Sequence, residues 1–233
     1  MARILHDLVC IDDRRPSPFC WRSKFALAHK GLAFEARAVG FTAIPRLYGG
    51  GHKTVPILED DGRVIADSWA IADYLDQAYP DHPLFASPAE RALCRFTEAW
   101  VFSSVAPLLF PMVVRDIHDH ALEQDRAYFR ESREQRLGRT LEQASAGREQ
   151  QIDALRASLG PLRLMLTVQG QSFISGDRPG YADYIVVGIL LWAASVTTLP
   201  LLAHDDPVVE WFERVRDLHG GIGRTSPTYA IAS

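Results

Sequence analysis

Residues 54–71 have the sequence TVPILEDDGRVIADSWAI, and this stretch decides the fold that we predict. Two short apolar runs flank Asp61-Gly62, a dipeptide typical of the type I′ turn that joins two strands in a hairpin. The residues that follow, SWAIADYLDQAYP (68–80), place apolar side chains on one face of a helix that ends at a proline. The stretch therefore predicts a strand–strand–helix unit.

The sequence before this unit predicts a strand–helix–strand unit. RILHDL (3–8) is a short candidate strand, FCWRSKFALAHKG (19–31) has apolar residues at helical spacing, and AFEARAV (33–39) alternates with period two. Gly31 suits the position just after a helix C-terminus. Residues 42–53 are irregular and include three consecutive glycines. The predicted order is strand, helix, strand, an irregular helix or loop, two strands and a helix.

After Pro88 the chain shows helical periodicity and no convincing strand. Residues 90–120 are long and apolar, with Pro107 and Pro111 as expected kinks. Residues 123–149 hold six arginines and six acidic residues, a run typical of a solvated helix face with i,i+4 ion pairs. The second part of the chain is therefore predicted to be all-helical.

The change of character near residues 80–88 predicts an α+β protein of two domains. An α/β domain covers residues 1–82, and an all-helical domain covers 88–225. The chain of 233 residues, 47% hydrophobic and 23% charged, has the composition of a globular protein with a sizeable core. The net charge of −4 argues against a nucleic-acid partner, since such a surface needs a concentrated positive field.

Neither a membrane span nor a secretory signal is expected. The apolar stretch 184–202 is interrupted by Gly188 and Pro200, which favours a buried helix followed by a turn. Near the N-terminus, Asp7 falls where a signal peptide would need an apolar segment. We predict a cytoplasmic protein without a metal, because the cysteines are few, odd in number and without metal-ligand spacing: Cys10, Cys20 and Cys94.

The Val55-Pro56 dipeptide at the start of the hairpin allows two interpretations. A proline cannot donate to the hydrogen-bond ladder of a sheet. One solution is a cis bond that leaves the Val55 N–H and C=O facing a ligand. The other is a trans proline at the first position of an edge strand. The dipeptide alone favours the trans form.

Asp67 and Ser68 begin the helix that follows the hairpin. Such residues usually cap a helix and contribute about 1 kcal/mol of stability. A helix N-terminus also attracts carboxylates, and the Asp67 side chain could bind an ammonium group. This corner would therefore also fit the zwitterionic head of an amino acid.

The first helix opens with SPFC (17–20), in which Ser17 and Cys20 could each take part in sulfur chemistry. Together with the strand–helix–strand unit, VP, DS and the all-helical half, this opening resembles the cytosolic glutathione transferases over essentially the whole chain. GDRPGYADYIVVG (176–188) resembles a helix-capping motif of that family, with Asp183 as the cap and Gly180 in the position of the usual Ser or Thr.

Longer segments are most similar to the bacterial β-aryl-etherases of lignin breakdown and their fungal relatives. They include SPFCWRSKFALAHKGL, DDGRVIADSWAIADYL and DDPVVEWFERVRDLHGGIGR. Those etherases carry a C-terminal extension beyond the point where this sequence ends. The resemblance implies a thioredoxin-like N-terminal domain, glutathione as co-substrate, a hydrophobic aromatic electrophile, no metal and a homodimer.

The resemblance makes Ser17 the catalytic residue, which donates its hydroxyl hydrogen to the glutathione thiolate at the start of the helix. A free thiol has a pKa near 8.5, and a donor together with the helix field lowers the pKa. Cys20 lies deeper and is predicted to be part of the core. Two alternatives remain: a thiol–disulfide oxidoreductase or lyase using Cys20, and a non-catalytic protein that binds glutathione or a phenolic ligand.

The resemblance also implies the remaining site residues. Glutathione would be held by the residues around the Val-Pro dipeptide and the following helix N-terminus: Lys53, Thr54, Val55, Pro56, Asp67 and Ser68. The electrophile pocket would be lined by Phe19, Trp100, Ser104 and Arg115. Further candidates for the walls of this pocket are Phe102, Met112, Tyr48 and Phe41.

Overall fold

The computed structural model describes residues 3–232, in which a four-stranded sheet has the order β2-β1-β3-β4. The central strands are β1 and β3, β1 pairs in parallel with β2, and β3 is antiparallel to both β1 and β4. The bounds are β1 Ile4–Leu8, β2 Glu35–Val39, β3 Ile57–Asp60 and β4 Arg63–Ala66.

The hairpin between β3 and β4 has the predicted turn. Asp61 and Gly62 both have positive φ values, 53° and 78°, as a type I′ turn requires. Ile57 pairs with Ala66 and Asp60 pairs with Arg63, so the two strands are in register across the two-residue loop. The predicted strand–strand unit is confirmed.

Two helices flank the sheet, α1 (Pro18–His29) and α2 (Ser68–Ala78). Gly31 follows the end of α1 with a φ of 67°, the left-handed conformation expected after a helix C-terminus. The irregular segment after β2 contains a short 3₁₀ turn over Ile44–Gly49. The predicted order of elements in the first part of the chain is confirmed.

The remainder of the chain is helical, as predicted. Its longer helices are α3 (Pro88–Trp100), α4 (Ala106–His120), α5 (Glu123–Leu137), α9 (Tyr181–Ala194) and α10 (Pro207–Arg216). The shorter ones are α6 (Leu141–Ser145), α7 (Ile152–Ser158), α8 (Gly160–Thr167) and α11 (Leu218–Gly221). The α+β fold with a sheet domain and a helical domain is confirmed. The bounds 1–82 and 88–225 stay a prediction, and residues 1 and 2 lie outside the described part.

The long helix predicted over residues 90–120 is interrupted before its prolines rather than at them. A π-helical turn over Val101–Val105 separates α3 from α4, and the Ala106 N–H donates to the Val101 carbonyl. Pro107 lies in the first turn of α4, where its missing N–H breaks no bond of that helix, and Pro111 lies inside it. The irregular turn is therefore the main departure from regular helix geometry here.

By length and composition alone, residues 88–120 could cross a membrane, because their most apolar window has a mean hydropathy of 1.4. The core helix of a globular protein meets the same criterion. Leu109, Met112 and Val113 of α4 are fully buried inside the helical domain, which accounts for the apolar composition.

Helix α9 lies at the centre of the molecule, and all of its residues are buried. It packs against α1 of the sheet domain and against α3 and α10 of the helical domain. The prediction that the apolar stretch from residue 184 forms a buried helix is confirmed. Asp183 accepts the N–H groups of Gly180 (3.0 Å) and Ile174 (2.7 Å), so this carboxylate caps α9 as predicted.

The charged run over residues 123–149 is solvated along most of its length. Arg130 pairs with Glu134 at 2.9 Å in the i,i+4 arrangement and with Glu142 at 2.9 Å. Two residues of α5 differ from this pattern, because Asp125 and Phe129 are buried. The solvated-face prediction therefore holds for the run as a whole and fails for these two side chains.

Candidate functional site

Ser17 is the N-cap residue of α1. Its Oγ accepts the Cys20 N–H at 3.2 Å, which satisfies one of the free donors at the start of the helix. A hydroxyl has one hydrogen to donate besides its acceptor lone pairs. Since the helix uses only the oxygen, the Ser17 hydrogen can be donated to another group.

The loop before α1 is fixed by a buried network of charges. The Arg15 carbonyl accepts the Ser17 N–H at 3.0 Å and the Trp21 indole N–H at 2.9 Å. The Arg15 guanidinium lies 3.4 Å from the carboxylate of Asp7, which also binds Lys24 at 2.7 Å. Both carboxylate partners are buried. The position of Ser17 therefore depends on contacts with both β1 and α1.

Cys20 lies inside the first turn of α1 and is completely buried. Its Sγ lies 3.9 Å from the His6 carbonyl oxygen of β1. Burial raises the pKa of the Cys20 thiol, and the nearby Asp7 carboxylate acts in the same direction. A thiol in this state is neither ionised at neutral pH nor reachable by a disulfide.

The Val55-Pro56 bond is cis, so the trans form that the dipeptide alone favoured is wrong. The Asp67 N–H donates to the Pro56 carbonyl at 3.3 Å, which links the start of β3 to the start of α2. Among residues 3–232, neither the N–H nor the C=O of Val55 has a backbone partner. Just before β3, these two backbone groups are therefore left to pair with an extended ligand.

Asp67 and Ser68 form the start of α2. Asp67 is exposed and is the N-cap, with a φ of 83°. Its Oδ1 accepts the N–H groups of Trp69 (2.8 Å) and Ala70 (3.1 Å), which leaves Oδ2 available to a cation. Ser68 is buried, and its hydroxyl has no partner among the described residues.

Glu98 of α3 joins the two domains at this corner. It accepts the Arg22 guanidinium of α1 at 2.6 Å and the Trp69 indole N–H of α2 at 2.7 Å. The Tyr181 hydroxyl of α9 donates to the Ser68 carbonyl at 2.9 Å. The N-termini of α1 and α2 are thus held in one place by residues of the helical domain.

Lys53 and Thr54 are exposed and lie on the segment between the 3₁₀ turn and Pro56. The turn itself is fixed to the sheet by Tyr48, whose hydroxyl donates to Glu59 at 2.6 Å and lies 2.9 Å from His6 Nε2. Through these two bonds, Tyr48 connects the 3₁₀ turn to β1 and β3 of the sheet.

An open groove of about 390 Å³ lies beside the N-terminus of α1. Phe19 and Phe102 stack in parallel along it, with ring centroids 5.5 Å apart and an interplanar angle of 6°. The other residues that line it come from α3: Arg95, Glu98 and Ala99. The two rings give the groove an apolar, aromatic wall.

The other predicted pocket residues do not line this groove. Trp100 donates its indole N–H to the Ser158 carbonyl at 3.2 Å, and Arg115 is exposed 3.8 Å from Asp119. Ser104 is exposed on the π turn, with its hydroxyl 3.3 Å from that of Ser103.

Two further candidates for the pocket walls lie elsewhere. Met112 is buried in the helical core, and Phe41 packs against Phe129 of α5. Assignment of Trp100, Ser104 and Arg115 to the electrophile pocket stays a prediction.

Arg95, Glu98 and Ala99 are not among the site residues predicted from the sequence. These residues and Phe102 follow the i, i+3, i+4, i+7 spacing of one helix face, which would have grouped them. Within residues 3–232, no group of three His, Cys, Asp or Glu side chains is arranged to hold a metal ion.

Comparison with known curated proteins finds partial matches to several glutathione S-transferases. The chain is 34% identical over 101 residues to a maleylacetoacetate isomerase of Dictyostelium discoideum, a match that covers 38% of this chain and 44% of that protein. It is 26% identical over 191 residues to glutathione S-transferase U22 of Arabidopsis thaliana, with 80% and 74% covered. The chain spans less than half the length of the first of these relatives.

Solved structures share the fold over almost the whole chain. A glutathione S-transferase of Ceriporiopsis subvermispora, solved in complex with glutathione, superposes with a TM-score of 0.79 at 23% identity and covers 97% of this chain and 99% of its own. Glutathione transferase GSTFuA3 of Phanerochaete chrysosporium has a TM-score of 0.73 at 27% identity, with 96% and 93% covered.

Two family models match the two parts of the chain. The model of the glutathione S-transferase N-terminal domain matches residues 13–83, which contain Ser17, the cis bond and the start of α2. The model of the glutathione S-transferase C-terminal domain matches residues 92–218. The order of the two matches is that of the sheet domain and the helical domain. The chain therefore belongs to the glutathione S-transferase family.

Proposed function

We propose that the protein is a glutathione transferase in which Ser17 stabilises the glutathione thiolate. The observation that carries this proposal is the Ser17 N-cap, where Oγ accepts the Cys20 N–H and can still donate its own hydrogen. Lowering the thiol pKa by about two units requires about 2.7 kcal/mol of differential stabilisation. A donated hydrogen bond and the positive end of the α1 dipole are together sufficient for this.

Glutathione would lie across the N-termini of α1 and α2. Asp67 Oδ2 would bind the ammonium group of the γ-glutamyl residue, and the Ser68 hydroxyl and the first turn of α2 would bind its carboxylate. The open N–H and C=O of Val55 would pair with the cysteinyl backbone as a strand does. Lys53 and Thr54 would meet the glycine carboxylate, and Pro56 shapes the turn beneath the peptide.

The second substrate is proposed to be a hydrophobic aromatic electrophile that binds along Phe19. The thiol proton leaves to solvent, and the thiolate sulfur forms a bond to an electrophilic carbon. The bond from that carbon to its leaving group breaks, and the leaving group departs with the electron pair. Holding both reactants in line supplies much of the rate.

The finer proposal is cleavage of a β-aryl ether. Here the carbon is the β carbon of an α-keto aryl ether, and the leaving group is a phenolate. Support comes from the similarity of the SPFC and ADSWAI segments to etherases and from the aromatic groove. Incubation with glutathione and an α-keto β-aryl ether tests it, with phenol release as the readout. Turnover of halogenated aromatics without phenol release would restrict the activity to general transferase chemistry.

The alternative chemistry at Cys20 has little support. A mixed disulfide with glutathione needs an accessible thiol of low pKa, whereas Cys20 is buried and its pKa is raised. The non-catalytic alternative is an outcome of the turnover experiment: glutathione binding without conversion of any aromatic electrophile.

A cytoplasmic homodimer is part of the proposal. The three described cysteines are free and buried, which suits a reducing compartment. Phe96 on α3 is 72% exposed, and a second subunit that packs on α3 would cover it. Light scattering of the wild-type protein and of Phe96→Glu tests this: a dimer that becomes a monomer is expected, and a wild-type monomer would contradict it.

A crystal structure with glutathione bound tests the central proposal. We expect the sulfur within hydrogen-bonding distance of Ser17 Oγ and the γ-glutamyl ammonium beside Asp67. A sulfur atom that lies elsewhere, with the Ser17 hydroxyl turned away, would overturn the assignment.

A further inference from the structure

A carboxylate of the helical domain anchors the segment that follows β2 in the sheet domain. Asp125 of α5 is 0% exposed. Its Oδ2 accepts the Phe41 N–H at 2.8 Å, and its Oδ1 accepts the Thr42 N–H at 2.9 Å and the Thr42 hydroxyl at 2.6 Å. We call this set of three hydrogen bonds the Asp125 clamp.

The surroundings of the clamp leave no space for a larger residue at position 40. A Cβ placed on Gly40 would overlap Asp125 Oδ2 and lie 3.1 Å from Leu122 Cδ1. Beside it, the rings of Phe41 and Phe129 pack with centroids 5.1 Å apart. Gly40 is therefore required by close approach of the two domains, and not by its own backbone angles.

The chemistry of the clamp suits a carboxylate. All three partners are donors, and an aspartate presents only acceptors on both oxygens. An asparagine would turn an N–H₂ group toward at least one of these donors. Such a buried mismatch weakens the contact although the side chain keeps its shape.

The clamp fixes one end of the segment that leads to the predicted glutathione ligands. After Thr42 the chain passes through the 3₁₀ turn, whose Tyr48 is bonded to the sheet, and then through Gly49, Gly50 and Gly51 to Lys53. The three glycines have positive φ values of 82°, 106° and 90°. Between Thr42 and Lys53, the helical domain holds one end of the segment and the sheet holds its middle.

We propose that Asp125 is a positioning residue for glutathione, which holds residues 42–54 in the conformation that binds the glycine end of the tripeptide. The inference rests on the proposed function, since it assumes that Lys53 and Thr54 contact glutathione. A segment that is ordered before binding loses less conformational entropy when the ligand arrives. Loss of the clamp therefore weakens glutathione binding, while the thiolate at Ser17 and the turnover of the saturated enzyme stay as they are.

Three substitutions perturb the same contact in different ways. Asp125→Asn changes the acceptor, Thr42→Val removes one donor at nearly constant shape, and Gly40→Ala pushes the carboxylate away. Thr42→Ser keeps the hydroxyl and serves as the conservative rescue. Glu131→Gln is the matched control, because it neutralises an exposed carboxylate on the same helix.

Calorimetric titration with glutathione and steady-state kinetics give the readout. We expect Asp125→Asn to raise the glutathione Kd and KM about threefold, which corresponds to about 0.6 kcal/mol, with kcat unchanged. Gly40→Ala should shift the Kd in the same direction and Thr42→Val should raise it about twofold. Thr42→Ser and Glu131→Gln should leave the Kd unchanged. A merely structural role would lower the melting temperature without this split between KM and kcat.

The possible results distinguish a failure of this inference from a failure of the proposed function. Unchanged glutathione affinity in Asp125→Asn, Thr42→Val and Gly40→Ala, with a wild type that binds glutathione, overturns the inference alone. A fall in kcat at unchanged KM overturns it as well, because the clamp would then act on the sulfur end. If Asp125→Asn does not fold, Thr42→Val decides, since it keeps the buried carboxylate. A wild type that does not bind glutathione overturns the proposed function and this inference together.

Discussion

The two ends of the candidate glutathione site are built differently. At the sulfur end, Ser17 caps α1, and the eight residues Cys20–Leu27 that follow in this helix are all buried. At the glycine end, Lys53 is exposed on a segment that contains three glycines. One end is part of the core, and the other depends on anchors at Tyr48 and Asp125.

This difference suits the two tasks that we propose. Stabilising a developing charge requires a donor that is already in place and does not reorganise during the reaction. Holding a peptide carboxylate in water requires only a positive charge nearby, and such a contact is weak. Substitutions at the sulfur end should therefore change the thiol pKa and kcat, and those at the glycine end should change the affinity for glutathione.

The largest effect is expected for Ser17→Ala. If the bound thiol pKa returns from about 6.5 to about 8.5, the thiolate fraction at pH 7 falls from about three quarters to about 3%, and kcat falls about 25-fold. The loss should shrink as the pH rises toward 9, because glutathione then ionises without help. The pH profile of kcat measures this, and Ser17→Thr, which keeps the hydroxyl and the cap, is the control.

The same substitution removes an N-cap, which contributes about 1 kcal/mol of stability. Thermal unfolding separates this effect from catalysis. A folded Ser17→Ala protein with the wild-type pH profile would contradict the proposed role of Ser17 and remove the distinction between the two ends.

The second largest effect is expected at Asp67, which would bind the γ-glutamyl residue on the other side of the sulfur from the glycine end. Asp67→Asn keeps an oxygen that can cap α2, and asparagine tolerates the φ of 83° well. The charge that would bind the γ-glutamyl ammonium is lost. We expect the glutathione KM to rise about tenfold, because charge-assisted hydrogen bonds are stronger than neutral ones. The melting temperature should change little, since asparagine also caps the helix. An unchanged KM would show that the ammonium binds elsewhere.

The hydrogen bonds of the two N-cap residues are local. Ser17 and Asp67 accept N–H groups two or three residues ahead, so their position before an apolar helix pattern is sufficient to predict them as caps. Asp125 looked like one of many charges on a solvated helix, because its partners lie 83 and 84 residues away. Nothing in the local pattern distinguishes a buried member of such a run.

The electrophile groove was predicted less well for a geometric reason. The groove residues of this helix, Arg95, Glu98, Ala99 and Phe102, keep regular helical spacing. The predicted Ser104 and Arg115 lie within or beyond the π turn over Val101–Val105, where the number of residues per turn changes. Phe19 and Phe102 meet across the domains, whereas Trp100 turns toward Ser158. The position of the π turn depends on how α3 and α4 pack, which the sequence alone does not define.

A smaller effect is expected for Lys53→Ala at the glycine end. An exposed ion pair contributes about 0.2 to 1 kcal/mol, so the glutathione KM should rise about threefold, with kcat unchanged. The effect should disappear in high salt, because exposed charges are screened. Lys53→Arg should behave as the wild type, and a loss of kcat in Lys53→Ala would show that the two ends are not independent.

The smallest effect is expected for Cys20→Ala, although Cys20 lies three residues from Ser17. The thiol is buried and its pKa is raised, so it contributes only packing. We expect kcat and KM within about twofold of the wild type and a loss of about 1 kcal/mol of stability from the small cavity. Steady-state kinetics and chemical denaturation measure both. Loss of turnover in folded Cys20→Ala, together with full activity in Ser17→Ala, would reverse the assignment, because the attacking sulfur would then belong to the protein rather than to glutathione.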